Sequence, residues 1–238
     1  MERLDIVPGT TNKIYQDREM FSYGVDAILL SWFAKPKGTV LDLGTGTGII
    51  PLRIAADKNV EVIYGVEIQE RVAQMAEKSV YLNKLDDRIK ILNTDIKKLP
   101  LIFAKASADT IITNPPYMKS GSALVNPSEN HAYSRHEIAC TLEDIVEVSA
   151  VLLKPLGKIF MVHRPNRLVD VLCAMRENGI EPKRICWVYP KPGKPSNLFL
   201  IEGVKDGKRD FKCDLPVTIY DKDGNYNEEI YDIYGIER

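Results

Sequence analysis

Short apolar runs alternate with stretches of helical periodicity along this 238-residue chain, and no other feature limits its fold as strongly. The runs are GTVLDLG (38–44), VEVIYGVEI (60–68), RIKILNTD (88–95), ADTIITN (108–114) and GKIFMVHR (157–164). Between them lie GIIPLRIAADK (48–58), whose Pro51 fits only a first helical turn, QERVAQMAEKSVYLNKL (69–85) and LEDIVEVSAVLLKP (142–155). PNRLVDVLCAMRENG (165–179) follows as a helix with Pro near its start and Gly past its end. RICWVYP (184–190) and SNLFLIEGV (196–204), joined by KPGKP, read as a hairpin. Strands separated by helices of roughly 10–15 residues predict βαβ units. The fold class is therefore α/β: one Rossmann-like, doubly wound sheet, mostly parallel, with an antiparallel strand added by the C-terminal hairpin.

Three segments follow from this pattern: an N-terminal cap over 1–37, the main α/β domain over 38–212, and an acidic extension over 213–238 expected to pack on the same domain. Hydrophobic content of 45% is that of a globular protein with a core. MERLDIVPGTTNKIYQDREMF carries charges throughout and is not expected to be a signal peptide; no run approaches a membrane span. Cys140, Cys173, Cys186 and Cys213 are widely spaced, so reduced thiols in a cytoplasmic protein are expected, with no metal site. A net charge of −1 argues against a nonspecific nucleic-acid coat, but the balance is uneven. Residues 183–212 carry eight Lys/Arg against three acids, and 213–238 carry seven acids against two bases. The stretch 118–137 is polar and long for a loop, as functional lids are.

Ligands of open α/β sheets bind beyond the carboxyl ends of the strands. DLGTGTG (42–48) places Gly44, Gly46 and Gly48 around Thr45 in a turn where the backbone can approach a ligand closely. A dinucleotide G-x-G-x-x-G pattern would need glycine at 49, where Ile49 stands. The second run ends in Glu67, 25 residues after Asp42, suited to accept from ribose hydroxyls. The third ends in Asp95, suited to accept from an adenine amino group, with Ile68 and Ile96 as apolar walls for the ring. The spacing G-x-G-x-G resembles the first motif of class I S-adenosylmethionine (SAM) methyltransferases, which makes SAM the expected cofactor.

The fourth run ends in Asn114-Pro115-Pro116-Tyr117, where consecutive prolines halt strand and helix alike. The Asn114 side-chain carbonyl and the Pro115 backbone carbonyl can accept both hydrogens of one –NH2 group, held by the rigid rings of Pro115 and Pro116. Fixing both N–H bonds pyramidalises a conjugated amine and aims its lone pair. Tyr117 offers a stacking face for a planar target swung out of its stack.

DLGTGTG, GVE, NTD and NPPY in this order resemble the amino-directed class I methyltransferases: N6-adenine enzymes on DNA or RNA, N2-guanine enzymes on rRNA, and release-factor glutamine enzymes. FSYGVDAILLSWFA (21–34) resembles the opening of the "methyltransferase small" group. Its bacterial members that modify the adenine next to the anticodon of a valine tRNA share this opening, the RHE segment (135–137) and the K-x-G-K-P region. That resemblance implies N6-methylation of adenosine in tRNA. It also implies that Phe21 and Gly24 cover the methionine end of SAM, with Asp26 capping the following helix, and that Arg135 and His136 touch RNA. Arg164 and the 183–212 cluster, Lys191 and Lys194 included, are the phosphate-contact candidates. A glutamine or DNA enzyme would be expected to carry a separate recognition domain, for which this pattern leaves no room. A SAM-binding RNA module without turnover is the alternative from another class.

Overall fold

Each apolar run becomes a strand because it can be covered on both faces, as parallel sheets require. The computed structural model describes residues 2–17, 23–115 and 140–236, so the 118–137 stretch lies outside the described residues. A hairpin of β1 (Glu2–Ile6) and β2 (Lys13–Asp17) and helix α1 (Val25–Phe33) precede the large sheet. There follow β3 (Gly38–Leu43), α2 (Ile49–Ile54), β4 (Val60–Glu67), α3 (Glu70–Leu82), β5 (Ile89–Asn93), α4 (Leu99–Ile102) and β6 (Ala108–Thr113). Then come α5 (Leu142–Leu152), β7 (Leu153–His163), α6 (Leu168–Glu177), β8 (Ile180–Tyr189), β9 (Leu198–Lys205), β10 (Lys212–Cys213), β11 (Val217–Thr218) and α7 (Glu228–Tyr234).

The sheet order is β10-β8-β9-β7-β6-β3-β4-β5, with β11 also on β8. All pairs are parallel except those of β9, which runs against both β7 and β8. The expected hairpin thus inserts its second strand beside β7. Alternation of side chains across the sheet builds two cores. One face packs Ile112, Phe160, Val162 and Leu200 against α1, α2 and α7; the other packs Ile111, Ile159, Met161 and Phe199 against α5 and α6.

Several boundaries differ from the sequence reading; α2, for one, ends at Ile54 rather than at 58, and two others have a clear physical cause. The helix expected over 142–155 ends at Leu152, and the chain passes straight into β7, whose Leu153 pairs with Ala108. Pro155 cannot continue a helix, and the extended Leu153 backbone turns the chain before it is reached. β8 starts at Ile180, four residues before the expected 184, because Gly179 adopts φ +70° and reverses the chain directly after α6.

The N- and C-terminal segments meet on the first core. Arg53 of α2 donates through Nη1 to Pro8 O (2.6 Å) and through Nη2 to Ile233 O (2.8 Å), joining the hairpin, α2 and α7. Gly9 and Gly235 sit so close that a Cβ on Gly235 would lie 2.6 Å from the Gly9 Cα. Arg53→Met leaves both carbonyls without their charged donor and is expected to cost about 2 kcal/mol, read by urea denaturation. Loss of less than a few tenths would show that the strap adds nothing to stability.

Candidate active site

The carboxyl edge of β3 to β6 is where the sequence concentrates polar residues, and the sheet's register brings them together. Gly44 and Thr45 both donate their backbone N–H to Val66 O at 2.9 Å, which lays the glycine turn against the end of β4. Gly44, Gly46 and Gly48 take φ of +77°, +56° and +88°, values that a side chain would strain. A Cβ on Gly44 would meet nothing within 4 Å, so the turn faces open space there.

Asp42 lies under this turn and is 0% exposed. Its Oδ2 accepts from the Thr45 hydroxyl at 2.6 Å, while Oδ1 has no protein partner. Burial pushes the carboxyl up to about 7; the Thr45 hydroxyl opposes this and the Glu67 carboxylate adds to it. Thr47 Oγ1 is a second buried polar atom without a partner in the same turn. Glu67 Oε2 accepts from Gly46 N (3.1 Å) and Oε1 from Gln69 N (2.9 Å), leaving each oxygen a lone pair for a ligand hydroxyl. Ile68 is 41% exposed beside it. Asp95 caps the short 3-10 turn Ile96–Lys98 by accepting from Lys97 N, and Ile96 is half-buried against the second core.

Asn114 follows β6 one residue beyond the Leu43–Thr113 pair, so it stands laterally beside Gly44. The Thr113 hydroxyl donates to Leu43 O at 3.0 Å and locks these two strand ends together. Asn114 is half-buried and Pro115 is buried. Pro116, Tyr117, Phe21, Arg135 and His136 lie outside the described residues. Gly24 is the N-cap position of α1 without a side-chain bond; Asp26 sits one step inside and accepts from Ala27 N.

The basic cluster does not stay together. Arg164, at the end of β7, and Lys191 and Lys194, in the β8–β9 turn, lie on the carboxyl edge, where the Arg164 guanidinium donates to Asn197 O. Lys205, Lys208 and Arg209 lie at the opposite edge, with Lys183 donating to Lys208 O. Arg184 is a structural lock: it pairs with Glu202 (3.0 Å) and Asp214 (2.8 Å), donates to Phe33 O and stacks 4.0 Å over the Phe33 ring. As a phosphate candidate it is withdrawn.

Several participants have only faint sequence signals. A Cβ on Gly65 would come within 2.9 Å of Thr45 Oγ1 and Ile91 Cδ1, so glycine inside an apolar strand marks the place where Thr45 must fit. Asn93 donates to Glu67 O and Ile68 O and braces that rim. His163, 2% exposed at the end of β7, accepts from Arg164 N through Nδ1 and stacks near Phe199. Burial, aided by Arg167 and Arg164, pulls its imidazole down to about 4, so it is neutral at pH 7.

A parallel sheet ordered in this way, with a glycine turn on its first crossover and acids at the next strand ends, defines a class I methyltransferase. The chain belongs to the family described as the Methyltransferase small domain, whose profile matches residues 12–177. Among relatives, a tRNA1(Val) (adenine(37)-N6)-methyltransferase of Tolumonas auensis is 31% identical, covering 79% of this chain and 78% of that protein. The protein of the same name from Porphyromonas gingivalis is 30% identical over 75% and 72%. Among solved structures, a predicted O-methyltransferase from Agrobacterium tumefaciens superposes with a TM-score of 0.70 at 19% identity, covering 88% of this chain and 95% of that one. The geranyl diphosphate C-methyltransferase of Streptomyces coelicolor A3(2) gives 0.57 at 15%, over 76% and 75%. These neighbours share the fold. The chain is a SAM-dependent methyltransferase, and the orphaned Asp42 Oδ1, the open face of Gly44 and the spare Glu67 lone pairs fit a cationic nucleoside. Among the described residues no helix is long and apolar enough to cross a membrane, and no cluster could hold a metal ion.

A cation seated on Asp42 must displace its proton. SAM affinity is therefore expected to weaken below about pH 7, approaching tenfold per pH unit, with the proton release read by calorimetry in buffers of different ionisation enthalpy. Asp42→Asn removes that dependence; a wild-type affinity flat between pH 5 and 8 rules the linkage out.

Proposed function

We propose that this methyltransferase modifies an exocyclic amine, N6 of the adenosine next to the anticodon of a valine tRNA, in the cytoplasm. The observation that carries the reading is the register that sets Asn114 and Pro115 beside the glycine turn, at the place where a methyl donor and an acceptor amine would meet. The names of the two bacterial relatives support the substrate.

In this reading Asp42, Gly44, Thr45, Gly46, Gly48, Glu67, Ile68, Asp95 and Ile96 hold SAM, with Phe21 and Gly24 over its methionine end. The bound cofactor supplies an electrophilic methyl group on a positively charged sulfur. Asn114 and Pro115 orient the amine by accepting its two hydrogens, Pro116 keeps the backbone rigid, and Tyr117 stacks on the ring. The amine acquires its positive charge as the new N–C bond forms and loses its proton afterwards, so no strong base is needed beforehand. Arg135, His136, Arg164, Lys191 and Lys194 meet the RNA. Proteins read unstacked loop bases in RNA more readily than paired ones, which suits an anticodon-loop target.

Incubation with labelled SAM and bulk tRNA from a strain lacking the gene is expected to yield N6-methyladenosine on digestion. Label confined to DNA, to rRNA guanine or to a protein glutamine rejects the tRNA reading. SAM binding without transfer to any of these makes the protein a binding module. Asn114→Ala is expected to lower kcat at least 100-fold, about 2.7 kcal/mol, while SAM affinity changes little. Equal loss of both contradicts its assigned role.

A further inference from the structure

The split of the basic cluster shows where a nucleic acid can lie. On the carboxyl edge, the β3, β4 and β5 ends carry the cofactor residues. The β7, β9 and β8 ends lie on the other side of β6 and carry cations. Successive strands are about 5 Å apart, so Arg164 stands one strand from Asn114 and the β8–β9 turn begins one strand further. Arg164 is exposed, with its guanidinium anchored on Asn197 O at 3.2 Å. Lys191 and Lys194 are exposed on one tight turn, closed by Lys194 N on Lys191 O, and form no ion pair with a described residue.

The far end of this row is acidic. After β11 the chain returns along the same edge, where Ile219 N and Tyr220 N bond to Tyr189 O and Pro190 O. The Asp221–Asn225 turn is built on Asp221 Oδ1, which accepts from the backbone N–H of Asp223, Gly224 and Asn225. A Cβ on Gly224 would lie 3.6 Å from Lys191 Nζ, so the last cation of the row touches the turn that carries Asp221, exposed Lys222 and exposed Asp223, a net charge of −1.

We propose, building on the tRNA reading, that the RNA backbone crosses the β7–β9–β8 side of the carboxyl edge, with Arg164, Lys194 and Lys191 as successive phosphate contacts and the Asp221–Asn225 turn as an acidic stop. The cations at the opposite edge take no part. A track of three cations that ends on a turn of net charge −1, Asp221 and Asp223 against Lys222, accepts a short, sharply turning strand and disfavours one that runs on, which favours a hairpin loop over extended single-stranded RNA.

The test titrates full-length protein with bulk tRNA at several salt concentrations, by fluorescence anisotropy. Three variants are compared with wild type: Lys191→Ala with Lys194→Ala, Lys208→Ala with Arg209→Ala, and Asp223→Asn. All these side chains are exposed, and thermal melts check that each variant folds. Losing two phosphate contacts is expected to lower the slope of log K against log salt by about 1.4, at about 0.7 per single-strand contact. The pair at the opposite edge keeps the wild-type slope. Asp223→Asn is expected to tighten binding of a polyuridylate strand more than binding of tRNA. Equal losses from the Lys191/Lys194 and Lys208/Arg209 pairs, or loss only from the opposite edge, overturn the track. An unchanged preference in Asp223→Asn overturns the stop. If wild type methylates tRNA while the Lys191/Lys194 pair binds normally, the track alone fails. If wild type neither binds nor methylates RNA, the tRNA reading fails and the track with it.

Discussion

A carboxylate sealed beneath the glycine turn sets the terms for the rest of the site. Asp42 has no access to water, one hydroxyl donor and one oxygen without any. An ionised group so placed is costly unless a proton or a cation joins it. The neighbouring features serve to keep it there: Thr45 supplies the single donor, Gly65 makes room for Thr45, and three positive-φ glycines let the backbone fold over both. Glu67 adds a second negative charge nearby but spends two lone pairs on backbone N–H groups, which fix its direction. Both carboxylates thus keep unused acceptor capacity at the foot of the turn.

The two edges of the sheet have different duties. At the carboxyl edge, side chains brace strand ends without closing them over: Thr113 on Leu43, Asn93 on Glu67 and Ile68, Arg164 on Asn197. Inside the antiparallel part, charge is consumed in structure. Arg184 and Lys158 share Glu202, and Arg184 also reaches Asp214 and the Phe33 ring. Half-buried pairs of this kind are weak evidence for added stability, but removing one partner strands the other. A cation held in this way cannot also serve a phosphate.

The strand ends were legible because each is written locally: an apolar run followed by an acid, a glycine or an amide. Asp42, Glu67, Asp95 and Asn114 need no knowledge of their neighbours to be noticed. Gly65, Asn93 and Thr113 are different, since what they do depends on lateral partners that only the pairing register supplies. The basic stretch misleads for a related reason. A hairpin of two strands, of ten and eight residues, carries sequence neighbours to opposite ends of a sheet about 30 Å deep, so Lys183 and Lys191 part company while Arg164 and Lys194 share one edge. The end of α5 lies earlier than its apolar periodicity implies, because the pairing of Leu153 with Ala108 holds the chain extended from there.

The end of β6 adds no charge to an edge that already carries three carboxylates, Asp42, Glu67 and Asp95. Like charges in a poorly hydrated place raise one another's affinity for protons, as Glu67 does to Asp42. An amide oxygen and a proline carbonyl offer acceptors there without adding to that repulsion. His163, one strand away, keeps to the same rule: its Nδ1 is engaged by Arg164 N, and burial beside two arginines leaves the ring uncharged. A histidine that titrated near 6.5 would change its charge across the physiological range, and this one does not. The ring thus contributes packing and one acceptor to the end of β7 and leaves positive charge there to the two arginines beside it.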